Sequence, residues 1–303
     1  MTAIPVLWPW QGSKVRLAPV IASRLPPHRT YVEPFAGTAA VLLAKDRSLV
    51  EVLNDVNADL VAVYRCLQDA QLSRRLYRRI RWTPVSRIEW NRAQDAPNPD
   101  DVVEQAARFL IRMLQGFNGK PDATAWGGKL TPQGVVQRQT RFLHRMMPAA
   151  QRLTGVILES GDWRTIVQRY EAPSTCVFCD PPYRTASSDA ENAYGGPPWT
   201  DADWNDLITW ALQTPAMVCL THYPHPATDR LRAAGWHVES VRLWVNVKGR
   251  TQRTGLAGGH LNTSVDTRVE HIWWSPRAWD QAPRQLTWWN ADVSLAEVGV
   301  DGE

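Results

Sequence analysis

Two rhythms of apolar residues run along this chain. Short, nearly continuous apolar runs bounded by turn residues predict buried strands at Tyr31 to Phe35, Val50 to Leu53, Val156 to Leu158 and Cys176 to Cys179, then at Met217 to Leu220, Val238 to Val245 and Val269 to Trp274. Apolar residues at helical spacing predict helices at Ser13 to Leu25, ended by Pro26-Pro27, at Thr38 to Lys45, and at Asn57 to Leu67 with Asn57 as its cap. Further helices are predicted near Trp163 to Tyr170 and at Asp201 to Leu212. Alternation of this kind predicts an α/β fold.

From Leu72 to about Pro148 the rhythm changes to Arg-rich helical segments, Leu72 to Trp82 and Val102 to Gln115, followed by a Gly-rich loop from Gly116 to Lys129. The expected division is therefore residues 1–70, an insertion over 71–152, a resumed α/β unit over 153–278, and an acidic tail over 279–303 that offers little to bury. A polar loop is expected from Lys248 to Arg268.

Asp180-Pro181-Pro182-Tyr183 follows directly on the Cys176 strand. Two consecutive prolines cannot continue a sheet ladder or enter a helix interior, so the strand must stop there. It stops with a carboxylate and a phenol at its carboxyl end, which in open α/β sheets is where ligands bind. Proline carbonyls have no N–H beside them. An exocyclic amine carries two donors, which an Asp oxygen and the Pro181 carbonyl could accept while Tyr183 stacks on a flat ring. The arrangement suits alkylation of a base amine.

Two other segments add candidate chemistry. Tyr31-Val32-Glu33-Pro34-Phe35-Ala36-Gly37-Thr38 reads as a strand, a tight turn and a helix start, where backbone can approach a ligand closely. It lacks the G-x-G-x-x-G spacing of a dinucleotide fold. Asp55 follows the second strand, a position at which an acid commonly receives a ribose diol. Trp8-Pro9-Trp10-Gln11-Gly12-Ser13-Lys14 sets an aromatic, a glycine and a lysine at the mouth of the first helix, where Lys14 could pair with a carboxylate.

Composition narrows the class. The 303 residues are 44% hydrophobic and 21% charged, as in an ordinary globular protein, and no apolar stretch is long enough to span a bilayer. The N-terminus lacks a signal-peptide core, so a cytoplasmic setting is expected. The net charge is +4, and only five of the 34 basic residues are Lys. Arginine suits bidentate phosphate and guanine contacts, although a GC-rich coding genome would give the same bias. The four cysteines form no disulfide framework and are expected to be inert buried thiols, and His222 and His225 lack a metal-binding pattern. No metal is expected.

Taken in order, Trp10…Lys14, Glu33-Pro34-Phe35-x-Gly37, Asn54-Asp55-Val56-Asn57, an insertion and Asp180-Pro181-Pro182-Tyr183 resemble the Dam-like, D12-class adenine-specific DNA methyltransferases, over about Leu7 to Pro276. This chain departs from that pattern at Ser13, which replaces a usual glycine, and at Thr38 and Ala39; all three remain small. Gly116-Phe117-Asn118-Gly119 is similar to part of the family's target-recognition region, and Leu220-Thr221-His222-Tyr223-Pro224 looks closer to phage-type members.

The resemblance implies a Rossmann-like methyltransferase fold with a mostly parallel seven-stranded sheet and an inserted helical target-recognition subdomain. It implies S-adenosylmethionine as donor, no metal, and double-stranded DNA as partner, with the oligomeric state open and a monomer as the working expectation. Trp10 and Lys14 would hold the donor's methionine carboxylate and Asp55 its ribose hydroxyls. The turn from Phe35 to Gly37 would approach the sulfonium end, Glu33 would offset positive charge, and Asp162 would accept from the donor's adenine. Asp180 would border the donor and, with Pro181, Pro182 and Tyr183, form the catalytic turn. Phe117, Asn118, Lys120 and Lys129 would contact DNA. A target adenine would be flipped from the duplex to reach this pocket. Rival readings are cytosine-N4 methylation, protein-glutamine methylation, a silent DNA-binding homologue and an RNA methyltransferase.

Overall fold

The computed structural model describes residues 4–10, 12–95, 99–117, 125–127, 132–183, 199–245 and 266–283. Seven strands form one sheet: β1 Thr30–Glu33, β2 Val50–Asn54, β3 Ile157–Glu159, β4 Thr175–Cys179, β5 Met217–His222, β6 His237–Val245 and β7 Asp266–Trp274. Their order is β3-β2-β1-β4-β5-β7-β6, with β1 to β5 mutually parallel and β7 antiparallel to both of its neighbours. This is the expected Rossmann-like α/β architecture. The connection reverses direction between β1 and β4, which opens a crevice at their carboxyl ends.

Helices cover both faces, and the strands alternate between them. Tyr31, Leu53, Cys176, Phe178, Cys219 and Trp274 enter one core. Val32, Val52, Val177, Cys179, Val218 and Trp273 enter the other. Burial on both sides explains why these strands read as continuous apolar runs. The first face carries α1 Ala18–Arg24, α2 Ala40–Ala44 and α3 Ala58–Gln68. Packed on them are four more helices, α4 Ala70–Arg81, α5 Arg87–Asp95, α6 Val102–Gln115 and α7 Pro132–Leu153, whose buried residues Leu76, Phe109, Phe142 and Leu153 belong to that same core. The second face carries α8 Trp163–Tyr170, α9 Asp201–Gln213 and α10 Asp229–Ala233. A further helix, α11 Pro276–Gln281, runs across the expected boundary at residue 278.

Several boundaries differ from the sequence expectation, each for a physical reason. The first helix starts at Ala18 rather than Ser13, because Pro19 has no N–H to donate and fits only a first turn. Residues 12 to 17 are left as turns, with the Lys14 carbonyl accepting from Leu17 and Ala18 N–H groups at 2.9 and 2.7 Å. Helix α7 was hidden by Gly134 and Pro148, yet Val135, Phe142, Met146 and Leu153 share one buried side. Strand β7 begins at Asp266, not Val269, since its backbone ladder with β6 continues to Asp266↔Val245. The rest of the expected polar loop, and the tail from residue 284, lie outside the described residues.

A buried ion cluster joins α7 to the first half of the chain. Arg152 donates to both oxygens of Glu51 at 2.6 and 2.8 Å, and Lys45 donates to Glu51 Oε1 at 2.6 Å. Among the described residues, no helix is long and apolar enough to cross a membrane.

Candidate active site

Asn54, at the end of β2 and 1% exposed, knits the strand-end turns together. Its amide donates to the carbonyls of Pro34 (2.9 Å) and Gly161 (3.0 Å), and its Oδ1 accepts from Gly161 N–H (3.0 Å). Next to it, the Asp55 carboxylate accepts from Gly37 N–H at 3.0 Å and Asn57 N–H at 2.9 Å. Gly37 has φ +47°, a left-handed conformation that costs a side-chain-bearing residue about 1–2 kcal/mol. A Cβ there would lie 3.4 Å from the Trp10 indole nitrogen. Tyr64 holds the Gly37 carbonyl at 2.7 Å. Ser13 and Thr38 share a 2.8 Å hydrogen bond, so two of the sequence's departures compensate one another and staple the Trp10 to Lys14 segment onto the turn.

Glu33 is 1% exposed, and one of its oxygens accepts from the Tyr31 hydroxyl (2.8 Å) and the Leu42 N–H (2.7 Å). Burial pushes its pKa up to about 7. Burial likewise pushes Asp55 above the usual carboxylate range, against three backbone N–H groups that pull it down.

At the end of β4, Asp180 Oδ1 accepts from the Lys14 ammonium at 2.8 Å and from the Thr221 hydroxyl at 2.9 Å. Lys14 also donates to the Gly12 carbonyl (2.8 Å) and to Glu270 Oε1 (3.1 Å), and its nitrogen lies 4.5 Å from the centre of the Tyr183 ring. Tyr183 donates its hydroxyl to Glu270 Oε1 at 2.6 Å, while the His222 and Tyr223 rings meet it edge-on with centroids 4.7 Å away. Lys14 and Glu270 side chains are each 5% exposed whereas Asp180 is 19% exposed, so Asp180 is the member open to a ligand.

Burial opposes the Lys14 charge, but Asp180 and Glu270 outweigh it and raise its pKa. Burial raises the Asp180 pKa despite Lys14. His222 is driven down to about 3, chiefly by burial, and is neutral.

A family model described as D12 class N6 adenine-specific DNA methyltransferase matches residues 10–217. This chain belongs to that family. It is 26% identical over 186 residues to a DNA adenine methylase of Salmonella typhi, covering 60% of this chain and 66% of that one. A DNA N-6-adenine-methyltransferase of Escherichia phage P1 is 26% identical over 263 residues, 81% of this chain and 34% of that one. The type II methyltransferase M.CviBI of Paramecium bursaria Chlorella virus NC1A is 26% identical over 184 residues, covering 59% and 69%. The chain thus spans slightly under two thirds of the Salmonella enzyme.

For this D12-class chain, the donor expected from the family is S-adenosylmethionine, and the residues present fit it. A half-buried acid at Asp55, a turn without a side chain at Gly37 and the Trp10 indole surround one point, which suits a ribose diol and an approaching flat or cationic group. Phe35, beside that turn, packs its ring on Trp163 and Trp199 at 6.0 and 5.4 Å. Trp10 also contacts Phe109 of α6, linking the insertion to this turn.

Other expected residues lie apart from the Asp180 cluster. Asp162 caps α8 by accepting from Arg164 N–H (2.8 Å) and pairs with the Arg164 guanidinium (3.1 Å), with its side chain 55% exposed. Phe117 is exposed and donates its N–H to the Ala125 carbonyl at 2.9 Å, while Asn118, Lys120 and Lys129 lie outside the described residues. All four cysteines are buried and unpaired, and burial pushes Cys176 up to about 12. No cluster of three or more His, Cys, Asp or Glu residues able to hold a metal occurs among the described residues.

Sequence reasoning missed Glu270, Thr221 and the bracing role of Asn54. The signal for Glu270 was an acid inside the apolar run Val269 to Trp274, where a buried charge needs a partner.

Proposed function

We propose that this chain transfers a methyl group from S-adenosylmethionine to the exocyclic N6 amine of an adenine flipped out of double-stranded DNA. The observation that carries this reading is Asp180: a half-open carboxylate on a double-proline turn, at the crevice between β1 and β4, beside the Gly37–Asp55 turn. When bound, S-adenosylmethionine supplies an electrophilic methyl group on a sulfonium.

Asp55 would hold the ribose hydroxyls, with Trp10 and Lys14 toward the methionine end and Asp162 toward the donor's adenine. Glu33 would offset positive charge from beneath the turn, and Phe35 and Gly37 would line it. Adenine N6 is a poor nucleophile because its lone pair is delocalised into the ring. Accepting its two N–H groups at Asp180 and the Pro181 carbonyl localises the lone pair and aims it, so orientation and placed dipoles do most of the work. The raised pKa of Asp180 makes it a better resting place for the proton that the methylated amine must lose. Pro182 keeps the turn stiff, and Tyr183 would stack on the flipped base.

Residues 71–152 would recognise the target, with Phe117, Asn118, Lys120 and Lys129 contacting DNA and arginines adding phosphate contacts. We place the reaction in the cytoplasm.

The test is incubation with tritiated S-adenosylmethionine and unmethylated genomic DNA, followed by nucleoside digestion and mapping of modified positions. Label in N6-methyladenine at a short motif is expected. Label in N4-methylcytosine would replace the proposed substrate. Donor binding with no labelled DNA would point to a silent homologue or an RNA substrate.

A further inference from the structure

Glu270 comes from the strand of opposite direction. Because β7 is antiparallel to β5, its early residues lie at the edge where the parallel strands end, and His271 pairs across to His222. An acid one position away therefore reaches the catalytic turn without belonging to any of the turns that follow the parallel strands. It is 4% exposed, and its Oε1 accepts from both the Tyr183 hydroxyl (2.6 Å) and the Lys14 ammonium (3.1 Å). A buried carboxylate holding two donors with one oxygen is fixed in place, and it fixes them in turn.

The contacts close a ring. Asp180 leads through two prolines to Tyr183, Tyr183 bonds to Glu270, Glu270 pairs with Lys14, and Lys14 pairs with Asp180. Asp180 Oδ1 already receives Lys14 and Thr221. An incoming amine that takes this oxygen displaces Lys14, and the displaced ammonium would then be buried without a counter-charge if Glu270 were absent.

Resting on the methyl transfer proposed above, we infer that Glu270 is a positioning residue of this active site: it retains the Lys14 ammonium when the target amine takes Asp180, and it sets the plane of the Tyr183 ring. Its removal leaves Lys14 clamped on Asp180, in competition with the substrate. The loss therefore falls on turnover rather than on donor binding.

The test uses the full chain labelled with [15N]lysine. The Lys14 ammonium signal is identified by its disappearance in Lys14→Arg. Glu270→Gln keeps an oxygen acceptor but removes the charge. It is expected to shift that signal and speed its exchange with water, and to lower kcat about 10- to 100-fold, the scale of a small misplacement at a reacting centre. Donor KM is expected to stay within about threefold, since Asp55, Gly37 and Trp10, the other groups placed at the donor, are untouched. Combined with Tyr183→Phe, the loss should be no larger than that of the more damaging single change, because both act on one ring.

An unchanged Lys14 signal and unchanged kcat in folded Glu270→Gln would overturn the inference. So would a fall in kcat that merely tracks lost thermal stability and lost donor binding. If Glu270→Gln alters the Lys14 signal but the wild-type chain labels no DNA, the proposed reaction fails and Glu270's part in it falls too, while the contacts themselves stand.

Discussion

The Lys14 ammonium lies 2.8 Å from the Asp180 carboxylate, tying the first motif of the chain to the last. Lys14 is held on the N-terminal segment that Ser13 staples to Thr38, so the Gly37 turn and the Asp180 turn share one connection. The pairing also sets the Lys14 charge against the burial that raises the Asp180 pKa.

Asp180→Ala removes the acceptor while leaving the double-proline turn intact. Methyl transfer should fall by at least about 10²-fold, the scale for losing one placed group that acts in the transition state. Circular dichroism should show the native fold. Near-normal labelling of DNA by this variant would contradict the assigned role.

Gly37→Ala places a Cβ at φ +47°, facing Trp10 at 3.4 Å. The backbone strain should cost about 1 kcal/mol, read as a lower melting temperature. Calorimetry should show weaker S-adenosylmethionine binding, because the turn loses its close approach to the ligand. Unaltered donor affinity would move the donor away from this turn.

Glu33, with a pKa of about 7 in the folded chain, ties stability to pH. Between its ordinary value of 4.5 and about 7 the folded state binds more protons than the unfolded one. Stability contributed by this group is therefore complete below about pH 4.5 and is lost as pH rises through about 7, by up to roughly 3 kcal/mol. Glu33→Gln should be more stable than the wild type at pH 8 and no more stable near pH 4, as measured by urea unfolding. An equal difference at both pH values would exclude this linkage.

Arg152→Met strips Glu51 of its two-oxygen partner and leaves this buried acid only Lys45 and the Ser48 N–H among its described donors. Breaking such a pair costs about 3–5 kcal/mol. Denaturant unfolding should show the loss across the whole transition, since α7 and β2 are joined here. A change below about 0.5 kcal/mol would mean that the cluster is solvated in solution.

Asn118→Ala and Lys120→Ala should weaken DNA binding or alter site choice with donor affinity preserved. For Lys120, the dependence of DNA affinity on salt should flatten by about one counterion. Unchanged binding, salt slope and site choice in both would remove this loop from target recognition.

Much of this protein was legible in the chain itself. The seven strands, helix α8, the Asn57 cap and the stop at Asp180-Pro181-Pro182-Tyr183 all follow from signals that act within a few residues: apolar runs, capping side chains and prolines without an N–H. Asn57 does accept from the N–H groups of Asp59 and Leu60, at 3.1 and 3.2 Å, as its position implied. The start of α1 is equally local, set by Pro19, although the helical spacing continues before it.

What only the tertiary structure decided is which distant groups meet. The order of strands brings β1 beside β4, and the antiparallel return of β7 carries Glu270 to Lys14 and Tyr183. The bond between Ser13 and Thr38, two positions that looked like unrelated departures, is of the same kind. Local propensity contains no information about such partners, because their proximity depends on how the whole core closes long stretches of chain. The identity of each residue lies in the sequence; the charge it faces, and so the proton it holds, is set by the fold.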